Sequence, residues 1–279
     1  MLRRRLRTEL RAARLKRDLT QDQVAKAMDW SLSKMNRIEK AKTGISTNDL
    51  KALLPFYGIT DSSQTEELLD LARAARQPGW WRHYSDVAPP ALLELIDYES
   101  AASGVRQFET TFVPGILQTE EYASAVLQVL YDEESVSEKV AILVDLRTRR
   151  RGLLTSQNAP NFVFVLDESV IVRLVGSQSA TSQQLEHLVN MAKLPNVTIQ
   201  IVPFRAGLHP GMKGPFEVVE FDDTPDENIV FVEEQNGNFI SDEPKQTGSY
   251  IEAFRRIREK SLSPSDSISR LLETAGEMA

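Results

Sequence analysis

Residues 19–42, LTQDQVAKAMDWSLSKMNRIEKAK, decide the fold of the N-terminal part of this chain. Thr20 and Gln23 have the spacing of a capping box, so a first helix is expected over residues 21–28. Ser31 is a good N-cap for a second helix, which follows after a tight turn and extends to about residue 40. Many proteins use two short helices joined in this way to place the second helix in the major groove of DNA.

The outward-facing positions of the second helix carry side chains that suit contacts with DNA. Asn and Arg pair bidentately with adenine and guanine edges, so Asn36 and Arg37 are the expected base contacts. Helix ends and the loops that follow them usually supply the phosphate contacts. The predicted DNA-binding set is Thr20, Gln21, Ser31, Leu32, Ser33, Lys34, Asn36, Arg37, Lys40, Lys42 and Thr43. The alternative for any one of these residues is an ordinary solvated helix face.

Charge is distributed unevenly along the chain. Residues 1–50 carry 13 Lys and Arg against 6 Asp and Glu, whereas the whole chain has 33 basic and 40 acidic residues. A basic segment on an acidic remainder predicts that only the N-terminal part meets a polyanion. A hydrophobic content of 41% is enough for a buried core, and the sequence has no cysteine for a disulfide or a thiolate metal site.

Three further helices are expected around the central pair. A basic helix is predicted over residues 3–17, with leucines on its apolar face. Helices over 47–57 and 63–76 complete a five-helix domain, and Ser46 and Ser63 are the expected starts of these two helices. The outer faces of the first helix should carry Arg3, Arg4, Arg5, Arg7, Arg11, Arg14, Lys16 and Arg17, and its apolar positions should be Leu6, Leu10, Ala13 and Leu15.

The segment LTQDQVAKAMDWSLSKMNRIEKAK resembles the XRE (Cro/lambda repressor-like) helix-turn-helix family, and the likeness covers about residues 3–76. The resemblance implies that the helix starting at Ser31 is the recognition helix. It also implies that the DNA-contacting positions are Gln21, Leu32, Ser33, Lys34, Asn36 and Arg37. Two features depart from the family. Asp29 replaces the usual turn glycine, although Asp tolerates the left-handed conformation better than most residues, and Lys40-Ala41-Lys42 lacks the common glycine after the helix.

Beyond the N-terminal domain, the pattern changes to helices mixed with short β-rich segments. A linker is expected over 77–90, where Pro78-Gly79 and Pro89-Pro90 flank several aromatic residues. These aromatics could form a binding surface, but packing of one domain on the next is the preferred interpretation. Strands are predicted at 162–166, 197–202, 216–221 and 229–234. Helices are predicted at 91–104, 119–131, 136–154, 181–193 and 246–260, and a last short helix starts at Ser263-Pro264. The expected fold is a mainly α domain over 1–76 and a mixed α+β domain over 91–279.

The loop RAGLHPGMKGPF, residues 205–216, is the first candidate for a small-molecule site in the second domain. Arg205, His209 and Lys213 would line this ligand loop. His209 near the acidic pair that follows a predicted strand could do acid–base chemistry, but a histidine bonded within its own loop is the simpler interpretation. No nucleophile elbow, P-loop or HExxH motif is present, and three histidines leave few ways to build a metal site. We therefore expect no enzyme activity, metal or cofactor.

A run of arginines at residues 147 and 149–151 invites a second nucleic-acid interpretation. These positions spread around a helix, and acidic residues precede them in the chain. A salt-bridged helix surface or a contact between subunits is therefore the preferred interpretation.

A second resemblance covers about residues 80–275. FETTFVPGILQTEEYASAVL, LPNVTIQIVPFRAGLHPGMKGPFEVVEF, IVFVEE and SLSPSDSISRL look like the large C-terminal domain of Scr-type antitoxin-like XRE regulators. This resemblance implies a bacterial transcription regulator that is often encoded beside a small partner protein.

Two functions remain open from the sequence. The first is a regulator that binds double-stranded DNA as a homodimer and receives a signal from a partner protein or a small-molecule effector. A homodimer is expected because two half-sites together supply the affinity that a single helix-turn-helix domain lacks. The alternative is an antitoxin-like interaction module that binds the neighbouring small protein and uses DNA only for autoregulation. No segment has the pattern of a secretory signal or a membrane span, so we expect a cytoplasmic protein that is nucleoid-associated when bound to DNA.

Overall fold

The computed structural model describes residues 2–39, 45–75, 79–131, 136–221, 228–234 and 237–278. The chain divides into two compact units, Met1–Trp80 and Trp81–Ala279. The division falls inside the predicted linker. Tyr84, one of the aromatic residues of that segment, is buried in the second unit, where its hydroxyl donates a hydrogen bond to Asp145.

The described part of the first unit consists of helices. They are α1 (Leu2–Lys16), α2 (Gln21–Ala27), α3 (Leu32–Glu39), α4 (Thr47–Phe56) and α5 (Ser62–Ala74). The predicted helical fold of this region is therefore confirmed.

Side-chain caps explain where these helices begin. Thr20 and Gln23 form the predicted capping box, in which the Thr20 hydroxyl accepts from the Gln23 amide and the Gln23 side chain accepts from the Thr20 amide. Ser46 caps α4 by accepting a hydrogen bond from the Asp49 amide at 2.9 Å. The expected start of α5 at Ser63 is wrong, because Asp61 has an extended backbone and caps the helix.

The inner face of α1 differs from the prediction at Arg7, Arg14 and Leu15. Leu6, Leu10 and Arg14 are buried, whereas Leu15 is 54% exposed. Residues four apart lie on the same side of a helix, so the core-facing stripe runs from Leu6 through Leu10 to Arg14 and leaves Leu15 outside it. Arg7 is buried as well, so two of the arginines assigned to the outer faces lie inside the unit.

The second unit combines helices with a mixed sheet. Its described helices are α6 (Pro90–Glu99), α7 (Glu120–Leu130), α8 (Val136–Arg151), α9 (Glu168–Val172), α10 (Gln178–Met191), α11 (Pro244–Arg258) and α12 (Pro264–Met278). Its described strands are β1 (Gly104–Glu109), β2 (Asn161–Asp167), β3 (Val197–Val202), β4 (Phe216–Glu220), β5 (Ile229–Glu234) and β6 (Gly237–Ser241). The expectation of a mixed α+β domain is confirmed.

The described strands form one sheet in the order β3-β2-β1-β4-β5-β6. β1, β2 and β3 run parallel, and helices connect them in the chain. β4 pairs antiparallel with β1, β5 with β4, and β6 with β5. β1 is thus the central strand where the parallel half meets the antiparallel half.

Each face of the sheet has its own apolar core. Val105, Phe164 and Val219 pack on one face with residues of α7, α10 and α12. Phe108 and Phe216 pack on the other face with Phe254 of α11. This alternation between neighbouring residues follows from the two-residue period of a strand.

Several predicted boundaries in this unit are wrong. The helix expected over 91–104 ends at Glu99, and 104–109 is a strand, although its polar residues hide the alternation expected of strands. β6 was also not predicted. Helix α10 starts after Ser177 rather than at Thr181, because the Thr181 hydroxyl is buried against the backbone of Val175.

The arginines at the end of α8 are salt-bridged, but only in part on the surface. Arg149 pairs with Asp145 on the exposed side, whereas Arg150 is buried against Glu99 of α6. Of the helices in the described ranges, none has both the length and the apolar composition needed to cross a membrane.

Candidate nucleic-acid interface

The turn between α2 and α3 has the tight geometry that the sequence predicts. Asp29 adopts a left-handed conformation with a φ of 54°. The amide of Trp30 donates to the carbonyl of Ala25 at 2.8 Å, which closes the end of α2. Aspartate accepts this backbone region more readily than most residues, so the turn forms here without a glycine.

Helix α3 has one buried side and one side that faces solvent. Met35 and Ile38 are buried in the core of the unit. Leu32, Ser33 and Arg37 are exposed, and Lys34 and Asn36 are half-buried. Asn36 and Arg37 follow Ser33 by three and four residues, so the three side chains share one face of the helix.

The N-terminal end of α3 is held by its cap and by an ion pair. The Ser31 hydroxyl accepts from the Lys34 amide at 3.1 Å. The Lys34 ammonium lies 3.1 Å from Asp49 of α4 and 4.2 Å from the ring centroid of Trp30. Burial alone would raise the pKa of Asp49, but hydrogen bonds from Lys34 and Ser46 outweigh it and lower that pKa.

The C-terminal end of α3 is fixed by a buried ion pair. The Arg14 guanidinium donates to the two carboxylate oxygens of Glu39 at 2.6 and 3.0 Å and to the Leu19 carbonyl at 2.6 Å. The hydrogen bond to Glu39 raises the pKa of Arg14. Gln21 of α2 donates to Glu39 at 2.5 Å and accepts from Asn36 at 3.4 Å. One network therefore joins α1, α2 and α3 and ends at a predicted base contact.

Glu39 and Arg14 are the residues that the sequence analysis missed. Both are buried, although the basic helix was expected to expose its arginines. A signal was present, since Glu39 lies four residues after Met35 and one after Ile38, on the core-facing stripe of α3. A carboxylate at such a position requires a buried cation as its partner.

The structure brings most of the predicted DNA-binding residues together on α2 and α3. Thr20 and Ser31 act as N-caps, and Gln21 is part of the buried network. Lys40, Lys42 and Thr43 lie outside the described residues. Their contacts with DNA stay predictions, as do those of the whole set.

The predicted ligand loop does not gather its three residues. The His209 side chain is 3% exposed, lies 3.5 Å from Asp167 and meets the Phe108 ring edge-on at 5.7 Å. Arg205 and Lys213 are exposed. Arg205 lines a surface depression with Phe204, and the residues lining that depression include neither His209 nor Lys213.

These observations agree with the comparison to known families. Residues 5–68 match a helix-turn-helix domain family, so the first unit is a helix-turn-helix DNA-binding domain. Residues 92–273 match the domain of unknown function DUF5753, and the chain belongs to this family. No curated protein and no solved structure matches the chain.

Proposed function

We propose that the chain is a sequence-specific transcription regulator of the XRE type, with α3 as its recognition helix. The observation that carries the proposal is the face of α3 formed by Ser33, Asn36 and Arg37, which is turned away from the core on which Met35 and Ile38 pack. A helix held in this way can enter the major groove and contact base edges.

The buried network supports this proposal because it fixes the side chains that would contact DNA. Gln21 bridges Glu39 and Asn36, so the Asn36 amide is oriented before DNA arrives. Prior orientation lowers the entropy that is lost on binding. The Arg37 side chain is exposed and remains available for a guanine edge or a phosphate.

The test is DNA binding by the full-length chain to a site selected from random duplexes and to its own promoter. Arg37→Ala should weaken specific binding by about 1–3 kcal/mol if the side chain contacts a base edge bidentately. The matched control is Arg73→Ala, which removes the same charge from an exposed position on α5. An equal loss of affinity for the selected site and for scrambled DNA would assign Arg37 to a phosphate, and absence of any sequence preference would refute the proposal.

We further propose that the second unit dimerises and receives a signal, and that its role is binding rather than catalysis. One helix-turn-helix domain contacts few bases, so two half-sites are needed for the affinity typical of specific regulators. Light scattering of the full chain should give twice the monomer mass, and its footprint should cover two half-sites one helical turn apart or a multiple of that spacing. A monomer on a single half-site would refute dimerisation.

A specific observation favours the antitoxin-like alternative. Phe204, Leu208 and Met212 are exposed, Leu208 to 82%, on the segment between β3 and β4. Several exposed apolar side chains on one surface segment are compatible with a protein contact. If the second unit binds the small protein expected from the neighbouring gene, the two should co-purify as a defined complex. Leu208→Ser should weaken that complex, whereas Val129→Ser, an equally apolar exposed change on α7, should not.

A further inference from the structure

The second unit contains a cavity whose lining includes none of the three predicted ligand-loop residues Arg205, His209 and Lys213. Its volume is about 160 Å³, and it lies between α6, α7 and α8 on one side and β1, β4 and β5 on the other. Half of its lining residues are leucine, isoleucine, valine or phenylalanine. Its charged and amide-bearing lining residues are Gln107, Glu109, Gln118, Arg147, Arg150, Glu217, Glu233 and Asn238.

Two buried polar side chains in this cavity come from neighbouring strands, on the face of the sheet that also carries Glu109 and Glu233. Gln107 on β1 is directly opposite Glu217 on β4 in the antiparallel register. Gln107 is 9% exposed and Glu217 is 2% exposed. Burial of a carboxyl group costs free energy unless a partner compensates for it, so this pair requires an explanation.

The acceptor atoms of this pair are unused among the described residues. Neither carboxyl oxygen of Glu217 accepts a hydrogen bond from an N–H or hydroxyl donor there, and neither does the amide oxygen of Gln107. The Glu217 carboxyl has the Glu99 carboxyl as a neighbour, with which it forms a hydrogen bond when it is protonated. The Gln107 amide nitrogen is used, since it donates to Glu109 at 2.8 Å. What the cavity offers is therefore hydrogen-bond acceptors, and a matching ligand must supply donors.

The cations of the cavity are already engaged. Arg150 donates to both oxygens of Glu99 at 2.7 and 2.6 Å and lies 3.9 Å from Glu217. Arg147 donates to the Gln118 side chain at 2.8 Å. The charge of Arg150 is compensated by Glu99. Among the other charged groups that line the cavity, the three carboxyls of Glu109, Glu217 and Glu233 exceed the one cation, Arg147.

The protonation of the cavity carboxyls agrees with this excess. Burial raises the pKa of Glu109 from 4.5 to about 8. Burial, and then the neighbouring Glu99, raise the pKa of Glu217 well above its ordinary value. Without a ligand, Glu109 holds its proton at neutral pH, and an entering cation would favour the ionised form of both carboxyls.

We propose that this cavity binds a small organic cation, an amine or a guanidine with a compact apolar part, whose N–H groups donate to Glu217 and Gln107. A dry cavity of about 150 Å³ accepts a molecule the size of benzene, so the ligand has roughly that bulk. A metal ion is not favoured, because no three carboxylate or imidazole side chains in the described ranges converge to hold one. The site does not depend on the proposed function, since binding can be measured without DNA.

The experiment is titration calorimetry on the full-length chain with benzylamine, cyclohexylamine, benzyl alcohol and benzoate. The two amines should bind in a one-to-one complex about tenfold or more tightly than the alcohol, the difference that one charge-assisted hydrogen bond makes. Benzoate should bind no better than the alcohol. Binding of benzoate in preference to the amines, or amines that bind no better than the alcohol, would overturn the proposal.

Substitutions of residues that line the cavity test whether the amine binds there. Glu217→Gln should weaken amine binding about tenfold, whereas the control Glu252→Gln on the exposed side of α11 should leave it unchanged. If Glu217→Gln does not fold, as circular dichroism would show, Glu109→Gln replaces it with the same expected direction. Equal affinities for the cavity variant and the control would refute the placement.

Binding should also release protons. Glu109 and Glu217 face Glu99, Arg147, Arg150 and Glu233, and an added cation would lower the pKa of both carboxyls. The apparent affinity for benzylamine should therefore rise between about pH 6 and about pH 8. An affinity that falls over this range would contradict the assignment of the acceptors.

Discussion

Replacement of Arg14 by methionine should severely weaken the helix-turn-helix unit. The Arg14 and Glu39 side chains are 9% and 3% exposed, and the guanidinium donates to both carboxylate oxygens. Among the partners that the described residues provide, Arg14→Met leaves the buried Glu39 carboxylate with the hydrogen bond from Gln21. Removal of one partner of a buried ion pair costs about 3–5 kcal/mol, so most of the stability of a small unit would be lost.

The double variant separates this explanation from a general packing defect. Arg14→Met combined with Glu39→Leu leaves no unpaired charge, and apolar replacement of a buried pair is often close to neutral. The double variant should therefore recover most of the stability that Arg14→Met loses. The coupling free energy between the two positions should be about 2 kcal/mol or more in this cycle.

Hydrogen–deuterium exchange on the full-length chain measures the effect where it occurs. Peptides from α1, α2 and α3 should exchange faster by two or more orders of magnitude in Arg14→Met, since about 1.4 kcal/mol corresponds to tenfold. Peptides from the second unit should be unchanged. The reasoning fails if Arg14→Met costs less than about 1 kcal/mol, or if the two changes are additive.

Further predictions concern single sites. Thr20→Ala should destabilise α2 by about 1 kcal/mol, seen as faster exchange over 21–27, and unchanged exchange would mean that the capping box contributes little. Gly211→Ala would place a Cβ 2.2 Å from the Phe108 ring, so we expect a loss of about 1–3 kcal/mol in thermal unfolding. The control Gly248→Ala, with open space around the added atom, should be neutral or stabilising by up to about 1 kcal/mol. Folded Glu109 keeps its proton up to about pH 8 while the unfolded chain releases it near 4.5, so stability should fall as pH rises through this window. Glu109→Gln should lack that contribution and gain on the order of 1 kcal/mol over the parent at about pH 8 in urea unfolding, and an identical pH dependence of the two proteins would contradict the raised pKa.

The sequence predicted what depends on local spacing. The capping box at Thr20, the turn at Asp29 and the exposed positions of α3 each follow from neighbours within four residues. Strands such as 197–202 were found because they are short β-rich runs between turn residues.

What the sequence did not predict depends on distant partners. Arg14 meets Glu39 across 25 positions, and Arg150 meets Glu99 across 51, so no local pattern marks them as pairs. Strand β1 was missed because Arg106, Gln107 and Glu109 read as polar surface, whereas Gln107 is buried by the strands that pair on both sides of β1. The cavity was missed for the same reason, since it depends on helices packed over that strand.

The left-handed aspartate between α2 and α3 has a consequence for how such chains are found. Asp29 has a φ of 54° without the help of glycine, at a cost of about 1–2 kcal/mol that the remaining contacts of the turn must offset. A sequence pattern that requires glycine at this position would fail to detect helix-turn-helix domains of this kind. A pattern built on backbone geometry, which admits Asp and Asn at this position, would retain them.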